Sequence, residues 1–265
     1  MDKFEKLLLE QLTKPIENHS IQFFYNSNPS DPETRPLSLG SGLLLRHKTN
    51  YYIATAAHVV DSFEEKHIGV YTRTADFFEL GSICKCIEAD DSFKSTIDIA
   101  IWYIEPEIVA DIAPIDWWYD VKECIINHVE STESKYYIYG FPAKKIAINK
   151  TTMEIVQYPF KFFTRGYSSS MHARKAHFNP KYNLLLEFHK KKIADLATQR
   201  RQTAPAPYGI SGCGLWFLDG FKYRLVGIMT EWKTPNERIP AFMATKIDYV
   251  LRAMGYLEAH MKNLP

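Results

Sequence analysis

Tyr51-Tyr52-Ile53-Ala54-Thr55-Ala56-Ala57-His58-Val59-Val60-Asp61 decides how this chain folds. Its first five residues are aromatic, β-branched or small, the types that suit a pleated, half-buried strand. Just upstream, Leu37-Ser38-Leu39-Gly40-Ser41-Gly42-Leu43-Leu44-Leu45 is a second apolar run with a bend marked by glycines. Arg46-His47-Lys48-Thr49-Asn50 is polar and joins the two, so together they read as a hairpin. His58 falls where the second strand ends. A histidine there is either a satisfied core residue or a general base, since imidazole moves its proton near neutral pH.

Working outward, residues 2–19 predict a helix with a turn at Lys14-Pro15, and Ile21 to Tyr25 predicts a strand. Asn26 to Pro36 is a loop by composition. Strands follow at His67–Tyr71, Phe77–Ile87 and, after the acidic turn 88–91, at Ile97–Ile104. Asp98 is one carboxylate in that last apolar run. Burying it is costly without a partner, and an imidazole N–H would serve. Asp111 to Glu133, with Pro114 and Trp117-Trp118, reads as the connection between two halves. The second half offers strands at 136–142, 158–164, 182–189, 224–232 and 239–244. Residues 245–261 predict an amphipathic helix with Ile247, Val250, Leu251 and Met254 on one face. The basic stretch 190–201 reads as a solvated loop. Many short strands without strand–helix alternation or repeats predict an all-β sandwich or barrel, with a helix at each end.

The bulk composition excludes several classes. The chain has 265 residues, 46% hydrophobic and 24% charged, with a net charge of +1. That balance gives no drive toward nucleic acid or an anionic membrane. No apolar run approaches the roughly 18 residues of a membrane span. The start, Met1 to Glu10, lacks the apolar core and cleavage site of a signal peptide. Cys84, Cys86, Cys124 and Cys213 show no disulfide framework and no zinc-ligand spacing, so reduced thiols in a cytoplasm, with no metal and no cofactor, are expected.

Chemistry concentrates at Gly209-Ile210-Ser211-Gly212-Cys213-Gly214, a serine between glycines ahead of the apolar run Leu215-Trp216-Phe217. Glycines permit a tight loop whose N–H groups converge on one point, the geometry that stabilises an oxyanion. An α/β-hydrolase elbow is excluded, because Thr203 to Tyr208 contains two prolines and cannot be the strand before the serine. The order is His58, Asp98, Ser211. A hydroxyl, an imidazole and a carboxylate in that order match the arrangement used for acyl transfer in double-barrel hydrolases.

On Gly40-Ser41-Gly42, Thr55-Ala56-Ala57-His58-Val59-Val60, Asp98-Ile99-Ala100, Gly209 to Gly214 and Leu225-Val226-Gly227-Ile228, the chain resembles the chymotrypsin/trypsin-like serine proteases, in particular intracellular microbial trypsin-like peptidase domains. The resemblance spans roughly residues 37 to 250. It implies a chymotrypsin-like double antiparallel β-barrel of two six-stranded units. Residues 1–125 would form the first lobe, with His58 and Asp98, and residues 126–265 the second, with Ser211. It implies Ser211 as nucleophile, His58 as base then acid, Asp98 as orienting carboxylate, and the N–H groups of Gly209 and Ser211 as oxyanion hole. Ala204, Pro205, Tyr208, Thr230, Glu231 and Trp232 would line the substrate site, with the strand at 230–232 pairing an extended peptide. Ile210 stands where secreted digestive relatives carry an aspartate used in zymogen activation, and Cys213 stands where glycine is usual. The expected partners are a protein or peptide substrate and an activating protein. The alternative is a protease-like binding or scaffold module.

Overall fold

In a computed structural model the described residues are 3–28, 31, 34, 36–61, 67–81, 84–86, 97–142, 146–148, 155–157, 159–167, 178–188, 193–194, 201–202, 209–232 and 241–261. Helix α1 (Lys3–Asn18) leads into β1 (Ser20–Tyr25) and the hairpin β2 (Leu37–His47) and β3 (Asn50–Thr55). A one-turn helix α2 (His58–Asp61) follows, then β4 (Ile68–Tyr71), β5 (Phe77–Glu79), β6 (Cys84–Cys86) and β7 (Ile99–Ile104). The connection carries α3 (Val109–Ile112) and β8 (Tyr119–Asp120). The second half contains β9 (Lys135–Gly140), β10 (Ile146–Ile148), β11 (Ile155–Gln157), β12 (Phe160–Arg165) and β13 (Asn183–Glu187). It continues with β14 (Ile193–Ala194), β15 (Arg201–Gln202), β16 (Gly214–Asp219), β17 (Lys222–Trp232), β18 (Ala241–Lys246) and the terminal helix α4 (Ile247–Met261).

Two curled sheets result, giving the double β-barrel architecture. The first runs β5-β4-β1-β2-β3-β7-β6, with β8 added in parallel beside β2, and the second runs β12-β9-β16-β17-β18-β13. Among the described residues the second has the six strands expected. The first has eight, because the run 77–87 contributes both β5 and β6, on opposite edges, and the connection lends β8. The hairpin register is set by Leu43 opposite Ala54 through His47 opposite Asn50.

Alternation explains why these strands read as unbroken apolar runs. On β3, Ile53 points into the core of the first sheet while Tyr52 and Ala54 point to a cluster shared with the second. On β9, Tyr136 and Ile138 line the second core, and Tyr137 and Tyr139 face the shared one. Both faces are buried, so both sets of positions are apolar. The shared cluster joins Leu43, Leu45 and Ile101 to Trp216, Leu225 and Ile228, and both terminal helices add to it through Ile16, Val250 and Met254. Trp216 is fully buried there, edge-on to Tyr119 with ring centres 4.9 Å apart.

The turn read at Lys14-Pro15 is corrected. Helix α1 continues through Pro15 to Asn18. Proline removes one helical N–H, and the burial of Ile16 in the shared cluster holds the final turn in place. His19 then bridges the halves, with Nδ1 2.7 Å from the Trp117 carbonyl and Nε2 3.3 Å from the Tyr223 hydroxyl. Burial pushes its pKa below the ordinary histidine value, against the pull of the Trp117 carbonyl and Asp116. No helix among the described residues is long and apolar enough to cross a membrane.

Helix α4 is pinned to the hairpin by Glu258. Its Oε1 accepts from Tyr52 Oη at 2.8 Å and Asn50 Nδ2 at 3.3 Å, and lies 2.8 Å from His47 Nδ1. Partial burial opposes the charge, but these hydrogen bonds outweigh it and hold the Glu258 pKa below its ordinary value. A depressed carboxylate pKa contributes stability above the unfolded value and loses it as pH falls through the folded one. Glu258→Gln is therefore expected to destabilise the protein at neutral pH and to match the native protein in acid, measured as denaturant midpoints from pH 7 to below pH 4. Trp216→Ala is expected to cost about 3–5 kcal/mol, the range for emptying a buried aromatic site, read in the same titration.

Candidate active site

Register brings the histidine and the aspartate together. Strand β3 pairs with β7 so that Thr55 lies opposite Ala100. Ala56 and Ala57, both buried, carry the chain past the sheet to His58 at the start of α2. Asp98 precedes β7 by one residue, so the antiparallel pairing places it beside His58. Its Oδ1 accepts the His58 backbone N–H at 2.9 Å, and its Oδ2 is hydrogen-bonded to His58 Nδ1. The Asp98 side chain is 20% exposed and that of His58 is 50% exposed. The carboxylate is thus largely withdrawn from water while the imidazole reaches it. With Nδ1 committed to Asp98, the neutral ring carries its proton there, and proton transfer falls to Nε2.

The serine loop arrives from the second sheet. Gly209 has φ +93° and Gly212 φ +88°, values that side chains other than glycine's rarely tolerate. Gly212 N–H donates to the Met229 carbonyl at 2.7 Å, Cys213 N–H to Ile210 at 3.0 Å, and Met229 N–H to Cys213 at 2.8 Å, which ties the loop to β17. The same loop docks on the hairpin of the first sheet. Ser41 N–H donates to the Ser211 carbonyl at 3.0 Å. A Cβ on Gly212 would lie 2.0 Å from both the Ser41 carbonyl oxygen and the Thr55 hydroxyl. A Cβ on Gly40 would meet the Val59 side chain at 3.0 Å and the Ser211 carbonyl at 3.2 Å. Ser211 is therefore held next to the helix that opens with His58.

No acceptor among the described residues takes the N–H of Gly209 or Ser211. Strand β17 outruns its partner β16, whose pairing ends at Gly214 opposite Ile228. Beyond that point Glu231 and Trp232 pair with Met243 and Phe242 of β18 on one side only. Among the described residues, the other edge at 230–232 has no strand beside it. Thr230 sits in the bulge of this strand, buried, and its hydroxyl donates to the Met243 carbonyl at 3.4 Å. Ala204, Pro205 and Tyr208 lie outside the described residues.

Two other features bear on the chemistry. Cys213 is fully buried, and burial pushes its thiol pKa up, which keeps it a neutral, unreactive sulfur. Among the described residues no group of histidine, cysteine or acidic side chains could hold a metal ion. The residues that sequence reasoning left without a role are Ser41 and Thr55. The only signal for them was Gly40-Ser41-Gly42, a small residue flanked by glycines where two backbones meet. No protein-family model matches this chain, and no curated protein matches it either.

Gly212→Ala is expected to unseat the loop from the hairpin, since the methyl would meet backbone and Thr55 rather than the end of a flexible side chain. The check is faster hydrogen exchange at the Gly212 and Cys213 amides with the β2–β3 pairing retained.

Proposed function

We propose that this protein is a serine endopeptidase that cleaves peptide bonds through an acyl-enzyme. The observation that carries the reading is the two-point grip of Asp98 on His58 beside a glycine loop that bears Ser211. Ser211 Oγ attacks the substrate carbonyl carbon as its proton passes to His58 Nε2. The N–H groups of Gly209 and Ser211 bind the oxyanion of the tetrahedral intermediate. Collapse of that intermediate expels the amine, which takes the proton back from His58, and leaves the acyl group on Ser211. Water, deprotonated by His58, then releases the acid. Asp98 holds the ring in one tautomer and stabilises the imidazolium formed in each half-reaction.

An extended substrate segment adds to the open edge of β17, using the backbone groups of residues 230–232. The resemblance to intracellular trypsin-like peptidase domains agrees with this division of roles and with an activating protein partner. Cys124 and Cys213 are free thiols, which fits a reducing cytoplasm. The alternative is a binding or scaffold module on the same fold.

A fluorophosphonate probe separates the two. The native protein is expected to be labelled at one serine, and Ser211→Ala to abolish the label. Asp98→Asn is expected to lower the labelling rate by about 10⁴, because the amide stabilises the wrong tautomer. A native protein that stays unlabelled alone and with candidate partners would leave the binding module as the better account.

A further inference from the structure

Ser41 lies far from Ser211 in sequence, on β2, yet all of its polar groups are engaged at the junction. Its N–H donates to the Ser211 carbonyl at 3.0 Å. Its carbonyl accepts from Thr55 Oγ1 at 2.6 Å. Its hydroxyl donates to the Gly209 carbonyl at 3.0 Å and accepts the Phe141 N–H at 2.7 Å. The side chain is fully buried. One hydroxyl therefore spans the loop that carries Ser211 and the end of β9.

We propose that the Ser41 hydroxyl is a positioning residue for the oxyanion site, which it holds ready before substrate binds; this rests on the serine-hydrolase reading above. The reason lies in the peptide unit. In a trans peptide the C=O and N–H point in opposite directions, and no peptide bond described here is cis. Cys213 N–H holds the Ile210 carbonyl, so the Ser211 N–H of the same unit is turned the other way. The next unit back, the Gly209 carbonyl with the Ile210 N–H, joins the two candidate donors, and among the described residues it has no such contact within the loop. Glycine adopts either sign of φ at little cost, and Gly209 sits at φ +93°. What holds its carbonyl, and so the link between the two donors, is the Ser41 hydroxyl. The Phe141 N–H, bonded to the same oxygen, holds that hydroxyl from its other side. Ile210, between Gly209 and Ser211, is buried and offers no charge to order the loop. In this chain a neutral hydroxyl from the opposite sheet does the ordering.

Ser41→Ala tests this, since it keeps the backbone N–H to Ser211 and removes only the hydroxyl. The readouts are the fluorophosphonate rate constant, the probe's concentration dependence and the ³¹P shift of the adduct, whose phosphoryl oxygen occupies the oxyanion site. The maximal labelling rate is expected to fall roughly 10- to 100-fold, less than loss of an oxyanion donor itself, with half-saturation unchanged and the ³¹P shift moved toward the denatured adduct. Ser41→Cys, a weaker donor, is expected to fall between the two and carries the test if the alanine variant does not fold. Thr164→Val is the control. Its buried hydroxyl is bound to the Glu187 carbonyl within the second sheet, so its loss lowers stability while labelling stays at the native rate. Native labelling with Ser41→Ala or Ser41→Cys, folded and equal to native in rate and ³¹P shift, overturns the proposal alone. A native protein that takes no label overturns the hydrolase reading and this proposal with it.

Discussion

Everything at the junction depends on the close approach of two backbones, Gly212 in the serine loop and Ser41 in the first hairpin. Their separation leaves no room for a methyl group. That proximity lets Ser41 engage every one of its polar groups, across the junction to Gly209, Ser211 and Phe141 and within its own hairpin to Thr55. A buried serine stripped of those partners would cost more than the bonds themselves return, because burial without pairing is the expensive state. The joint is therefore close to all-or-none: either the loop is seated on the hairpin, or several buried groups lose their partners at once.

Apolar packing supports that joint on a larger scale. The two sheets do not simply abut. Each sends every second side chain of its central strands into a common cluster, and both terminal helices close it. Strands with two buried faces cannot stand alone in water, so each half completes the other's core. His19 fits this frame as a polar bridge: one ring nitrogen lies at a carbonyl of the connection and the other at a tyrosine of the second sheet. Its lowered pKa keeps it neutral where a charge would find little solvation.

The site inherits its division of labour from this architecture. The first sheet holds the aspartate and histidine, with the carboxylate gripping the histidine at both its ring and its backbone. The second sheet supplies the loop with the hydroxyl and the N–H groups. A seam between two rigid units suits acyl chemistry, because groups held on separate scaffolds need little reorganisation as charge develops. The overhang of β17 past β16 leaves a strand edge beside the loop, where an extended chain can pair.

While the short strands β8, β10, β11, β14 and β15 went unread, local pattern was enough to determine the main strands of the two large sheets, the hairpin at 37–55, the helices at either end and the order histidine, aspartate, serine. Each of these depends on residue type and spacing within a few positions, which is what periodicity and turn chemistry encode. The helix through Pro15 was not legible, because its last turn is held by Ile16 in a core that forms only when both sheets are present. The division of 77–87 into two strands on opposite sheet edges was hidden for the same reason: a run of apolar residues does not say which neighbours it will pair with. The role of Ser41 and Thr55 could not be read beyond their place in the glycine-flanked and Thr-Ala-Ala-His motifs. Their partners lie a hundred or more residues away or across a hairpin, and a serine between glycines looks alike whether it faces water or joins two halves of a protein. Sequence determined which groups were present and in what order. Only the tertiary structure decided which of them meet, because hydrogen bonds between distant backbones are set by how the sheets curl and pack.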